Sequence, residues 1–308
     1  MKHIPISWGI LRGLLTVFLL LPVSAYAQKP FQVTVSIVPQ KYFVEKIGGD
    51  LVDVSVMVEP GVDPHVYDPR PQQMTALTRS EIYFAAGVPF ENVWLDKFSA
   101  ANPGIVMVHT EAGIEKLKMD DDHHDGDKQG EDHSIKAAHK HSRDHDSFDP
   151  HSWLSPSAVL IQARNILRAL ASFDPAHADL YESNYRKLVA ELVDLDLELM
   201  KIFRGAGENR QFMVFHPSWG YFAAAYGLVQ VPVEIEGKEP KAADLQRLIL
   251  HAREKGIKAV FVQPQYSATS ARVIADAIGG QIVVADPMAE DWAKNLREVA
   301  EKFRAALK

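Results

Sequence analysis

The sequence predicts an α/β protein: two (β/α) lobes with central parallel sheets, joined by one long α-helix. Three observations carry this reading. Short β-branched runs alternate with helical patterns along the chain, and strands separated by helices pair in parallel through crossovers. Residues 176–204 contain no Gly or Pro and keep apolar side chains on three- and four-residue spacings. The same βα rhythm then resumes beyond that segment.

Residues 1–27 form a separate leader. Lys2 and Arg12 precede an apolar run at 14–23 (LLTVFLLLPV), and Ala25-Tyr26-Ala27 follows it. This is the layout of a cleaved secretory signal, with Gln28 as the first mature residue. The alternative is an uncleaved anchor, but the apolar run is short of the roughly 20 residues a span needs and contains Pro22.

The first lobe is assigned to 28–172. Its strands are expected at 31–38, 52–58, 82–85 and 105–108, with helices at 40–47, 71–79, 92–101 and 157–171. The pattern breaks at 118–149. Residues 119–149 hold ten acids, four Lys or Arg and six His. So polar a segment cannot bury enough apolar surface to offset its ordering entropy, and it reads as a disordered loop. The linker helix is assigned to 173–206 and the second lobe to 207–308, with Gly205 and Gly207 closing the helix. An ordinary helix pair within one larger domain is the competing reading of the mid-chain segment. In the second lobe, strands are expected at 211–215, 229–233, 259–262 and 281–285. Helices are expected at 219–226, 242–255, 267–277 and from 289 onward.

Composition narrows the function. A chain of 308 residues with 47% hydrophobic positions can bury two ordinary cores. A formal net charge of −7 makes nucleic acid an unsuitable partner, because its phosphates require Lys and Arg. The absence of cysteine excludes disulfides, iron–sulfur clusters, thiolate zinc sites, a Cys nucleophile and a lipidated N-terminal Cys. Any metal site must use nitrogen and oxygen.

Three histidines stand in proline-bounded turns: His65 in GVDPHVYDP, His151 in DPHSWLSP and His216 in VFHPSWGYF. Asp286, in VVADP, is similarly placed. Three of these four follow expected strands, where open α/β sheets bind their ligands. Imidazoles plus one carboxylate suit tetrahedral Zn²⁺, although Cu and Ni accept the same donors. Spacing alone does not show that the four converge.

The motifs GVDPHVYDP, DPHSWLSP and FHPSWGYFAAAYGL, with EIEGKEP and VVADP downstream, resemble the ZnuA-type zinc-binding proteins of bacterial metal ABC importers, in the cluster A-I solute-binding family. The resemblance spans the mature chain, His-rich loop included. It implies two (β/α) lobes joined by one long helix, with metal held between them. It further implies a periplasmic monomer without enzymatic activity that delivers Zn²⁺ to an inner-membrane permease. A periplasmic zinc chaperone is a further candidate partner. By motif match, His65, His151 and His216 correspond to the family's imidazole ligands and Asp286 to the carboxylate used by some members. Manganese-type relatives carry Glu at the position of His216, so His favours zinc over the alternative Mn²⁺. The chain departs from many relatives in lacking a second-lobe disulfide and the Ser that often follows EP.

The loop histidines His123, His124, His133, His139, His141 and His145 lie among acids and could collect zinc weakly as an auxiliary site, or form a solubilising insertion. Asp63, Asp68 and Asp149 could orient imidazoles or merely form turns. Glu234 and Glu236 read as buried partners or cleft residues. Trp153, Trp219 and Tyr221 read as packing, and His109, His177 and His251 as element ends. Two other functions remain open at this point. A zinc hydrolase would share the three-His layout, but the chain has no HExxH motif. An exported zinc buffer or chaperone would act through the loop.

Overall fold

The computed structural model describes residues 29–119, 148–205, 207, 210–235 and 237–307. The expected signal at 1–27, Glu236 and the six loop histidines lie outside the described residues. The base of that loop is described: Lys118 and Phe148 form an antiparallel bridge.

The first half runs β1 (Phe31–Ile37), α1 (Val38–Gly48), β2 (Val52–Val58), α2 (Pro71–Leu77), β3 (Ile82–Ala85), α3 (Glu91–Ala101) and β4 (Val106–His109). Two helices follow, α4 (Pro156–Phe173) and α5 (Ala178–Phe203). The second half runs β5 (Gln211–Val214), α6 (Gly220–Tyr226), β6 (Val229–Pro232), α7 (Ala242–Glu254), β7 (Ala259–Val262), α8 (Thr269–Ile278), β8 (Gln281–Val284) and α9 (Trp292–Ala306). The first sheet is ordered β2-β1-β3-β4 and the second β6-β5-β7-β8, with all neighbours parallel. The two halves therefore share one topology. No described helix is long and apolar enough to cross a membrane.

β1 is the strand its alternation predicts, and it is buried on both faces. FQVTVSI alternates like a strand with one wet face, yet every residue from Val33 to Ile37 is buried. β2 and β3 pair only its edges; its two faces are buried because a parallel sheet lies between helix layers. The polar members pair internally: Thr34 Oγ1 lies 2.6 Å from Ser80 Oγ, and Ser36 Oγ 2.7 Å from Tyr83 Oη.

α5 has 26 residues and is about 39 Å long. It begins later than expected, because Pro175–His177 forms a separate 3-10 turn. Tyr181, Leu188, Leu192, Leu195, Leu199 and Phe203 make its buried stripe, while Leu180 is exposed. Both halves pack on this helix. α1 and α4 meet it from the first half, and α6 and α9 from the second. Tyr42 and Lys46 of α1 bond to Glu191, and Tyr226 Oη of α6 donates to Asp196 at 2.7 Å. One apolar core consequently runs from Phe43 and Ile47 through α5 to Trp292 and Phe303. A second, smaller core lies between the β5–β8 sheet and helices α7 and α8.

Candidate metal centre

The two D-P-H segments fold alike. Asp63 Oδ1 accepts from His65 N at 2.8 Å and lies 2.9 Å from His65 Nδ1. Asp149 Oδ1 accepts from His151 N at 2.8 Å and lies 2.7 Å from His151 Nδ1. One carboxylate oxygen thus holds both backbone and ring, and the intervening proline fixes the turn. His216 reaches the same state differently. It stands two residues past β5, with Gln263 bonding its N and O, and its Nδ1 lies 2.6 Å from Glu234 Oε1.

Nδ1 of all three rings therefore faces a carboxylate, which makes that nitrogen the N–H donor and leaves Nε2 as the bare ligand atom. The three residues offer ligand atoms that lie within 4.8 Å of one another. His151 Nε2 and His216 Nε2 are 3.4 Å apart. Two lone pairs cannot hydrogen-bond to each other. Tetrahedral zinc with Zn–N of 2.0–2.1 Å would separate neighbouring nitrogens by about 3.3–3.4 Å. His65 Nε2 is buried without a hydrogen-bond partner among the described residues. An orphaned buried acceptor of this kind is what a cation would satisfy. The three donors fit the ion.

The electrostatics agree. Burial holds His151 well below the usual imidazole pKa, with His65 adding to the effect. Burial also lowers His216, to about 4, despite the opposing pull of Glu234. Burial pushes Asp149 up to about 7, against the bond from His151 N. At Asp63 burial acts upward, but bonds from the His65 ring and backbone outweigh it and hold the carboxyl low. The imidazoles at 151 and 216 are thus kept neutral and ready to ligate. A divalent cation would offset the negative charge gathered behind them.

A cavity of about 10 Å³ adjoins the three rings, lined also by Trp153, Gln265, Tyr266 and Pro287. Tyr266 crosses between the halves: its hydroxyl donates to Asp63 Oδ1 at 3.1 Å, and its ring stacks on His216 at 4.6 Å. Trp153 Nε1 donates to Pro287 O, and Trp292 Nε1 to Trp153 O, closing the opposite side.

Asp286 does not join the group of three. Its Oδ1 accepts from Gln265 Nε2 and from Met288 N, both at 2.9 Å, so the carboxylate serves its own turn and a neighbouring amide. Asp68 orients no imidazole among the described residues; it accepts from Trp94 Nε1. Trp219 packs, fully buried, against Phe222 and Phe303. Gln263, Gln265 and Tyr266 were not singled out from the sequence. Their signal was present in QPQY, which follows β7 as FHP follows β5 and ADP follows β8.

Two parallel α/β halves, packed on one helix, with three convergent imidazoles drawn from both, define the class: a two-lobed α/β protein with a candidate metal site between its halves. A family model described as "ZnuA: Zinc-uptake complex component A periplasmic" matches residues 33–306. The chain belongs to the ZnuA family. The high-affinity zinc uptake system protein ZnuA of Bacillus subtilis (strain 168) is 28% identical over 250 residues, covering 80% of this chain and 75% of the relative. A crystal structure of ZnuA is 42% identical with a TM-score of 0.81, covering 91% of this chain and all of that one. The iron-binding protein YfeA of Yersinia pestis is 25% identical over 257 residues, covering 82% and 76%. The matched relatives are binding components of metal transport, not enzymes, and they do not share a single metal.

Proposed function

We propose that the protein is an exported, periplasmic Zn²⁺ receptor, and that His65, His151 and His216 bind the ion before its delivery to an inner-membrane ABC permease. The observation that carries this is the 3.4 Å Nε2–Nε2 separation between two buried, carboxylate-backed imidazoles, which matches one edge of a zinc tetrahedron. Zinc is favoured over manganese because all three donors are imidazole nitrogens, whereas Mn²⁺ suits harder oxygen sites. The name carried by the Bacillus subtilis relative points the same way.

In this reading residues 1–27 are cleaved, 28–172 and 207–308 act as lobes, and 173–206 supplies the connecting helix. Both lobes share α5 and one core, and Tyr266 and Trp153 bond across the site. Metal release then proceeds by movement of a ligand-bearing turn when the protein docks on the permease, without wide hinge opening. The protein acts as a monomer, and a periplasmic zinc chaperone is a candidate supplier. His123, His124, His133, His139, His141 and His145 form an auxiliary zinc collector, which raises the local metal concentration.

Calorimetry of the mature protein tests the reading. One tight zinc equivalent is expected, lost in His151→Ala, together with weak sites that disappear when residues 120–146 are deleted. Selective tight binding of Mn²⁺ over Zn²⁺ would contradict it. So would unchanged weak stoichiometry after the deletion.

A further inference from the structure

Two side-chain atoms beside the cavity are buried without a hydrogen-bond partner among the described residues: His65 Nε2 and Gln265 Oε1. The first is explained by metal ligation. The second has no role in the three-imidazole site. An unpaired buried amide oxygen is costly, so its position calls for a partner.

Gln265 is held the way the histidines are held. Its Nε2 donates to Asp286 Oδ1 at 2.9 Å, which fixes the amide so that Oε1 points away from that carboxylate. Asp286 is itself fixed, because the same Oδ1 accepts from Met288 N and its backbone O accepts from Asn295 Nδ2 at 2.7 Å. Asp63, Asp149 and Glu234 each hold a ring nitrogen in this manner and leave the opposite donor atom bare. Asp286 completes a fourth such pair, with an amide in place of an imidazole.

Gln265 also lines the small pocket beside the three imidazoles, so its amide belongs to the wall that a bound cation would face.

We infer that Gln265 supplies the fourth, oxygen ligand to the metal through Oε1, and that Asp286 acts as its positioning residue and not as a ligand. This rests on the zinc-receptor reading above. It makes the site N₃O with a neutral amide oxygen. Such a donor is a weaker competitor for hard cations than a carboxylate and biases the site toward zinc.

The test compares wild-type protein with Gln265→Leu, Gln265→Asn and Asp286→Asn. Zinc affinity is measured by chelator competition, stoichiometry by elemental analysis, and ligand field by Co²⁺ absorption, with thermal melting as the folding control. The expected result is one metal per protein throughout, affinity about 10–100-fold weaker in both Gln265 variants, a smaller loss in Asp286→Asn, and an altered Co²⁺ spectrum. Affinity within twofold of wild type and an unchanged Co²⁺ spectrum in folded Gln265→Leu and Gln265→Asn would overturn the assignment. If wild-type protein fails to bind one tight zinc, or His151→Ala binds as tightly as wild type, the receptor reading itself falls.

Discussion

Glu234 Oε1 meets His216 Nδ1 at 2.6 Å although eighteen residues separate them, because the β5–β6 register pairs Val214 with Pro232 and so aligns both residues two positions further on. The imidazole is aimed by a neighbouring strand and not by its own loop. Removing the carboxylate in Glu234→Ala should weaken zinc binding about 10–100-fold, as loss of an outer-shell partner does elsewhere. Glu234→Gln keeps an acceptor and should lose less; His216→Ala should lose more than either. Competition titration ranks the three, and a wild-type Kd for Glu234→Ala would refute the role.

Binding should also keep its strength at lower pH than free imidazole allows. Three unperturbed imidazoles, with pKa about 6.5, would release close to three protons on binding zinc at pH 5. Burial already keeps His151 neutral there and sets His216 at about 4. Between pH 6.5 and 5, log Kd should therefore change much less steeply than three per pH unit, steepening below about 4.5. A slope near three across that window would contradict the geometry. The apo protein should show the matching stability change. These two groups stay neutral when folded while the unfolded chain takes up protons below pH 6.5, which lowers stability toward pH 4; Asp149, at about 7 when folded, gains its proton first and offsets part of that fall.

Gly220 makes room for the Asp149 carboxylate. A Cβ at this position would lie 2.3 Å from Asp149 Oδ2 and 3.2 Å from Gln230 Nε2. Gly220→Ala should cost about 1–3 kcal/mol by overpacking. It should also lower zinc affinity, because it pushes away the group that holds His151. Gly207→Ala, whose Cβ would meet nothing within 4 Å among the described residues, is the control. Equal melting temperatures and affinities for the two variants would remove the steric explanation.

The connecting helix should behave as shared core. Leu192 is buried on the stripe of α5, whereas Leu197 is largely exposed. Leu192→Ala should destabilise by about 2–5 kcal/mol, and Leu197→Ala by no more than about 0.5 kcal/mol. Urea unfolding measures both. A single transition lost in parallel by probes in each half is expected for Leu192→Ala, since one core joins them.

The order of strands and helices was readable from periodicity; most ends shifted by one to three residues, and the linker helix assigned to 173–206 starts five residues later, where Pro175–His177 forms a separate 3-10 turn. The three histidines were readable because each stands in a proline-bounded turn, a local property. What stayed hidden was what depends on lateral neighbours. Glu234 was noticed only as a buried partner or cleft residue, since strand register assigns it to His216. Gln265 and Tyr266 look like ordinary turn residues until folding places them against the other half. Asp286 shared the sequence signal of a ligand, and the pairing of its Oδ1 with Gln265 Nε2 and Met288 N appears only on folding. Alternation located β1, but no local pattern reports that helices cover both its faces.

The twin D-P-H turns lead to one further point. In each, a single oxygen grips the main chain and the ring of a residue two places along, so the heading of the imidazole is settled within a tripeptide. Such a unit carries its own alignment from one scaffold to another. Protein engineers seeking a rigid histidine donor could graft three residues and leave the host backbone to supply only the location.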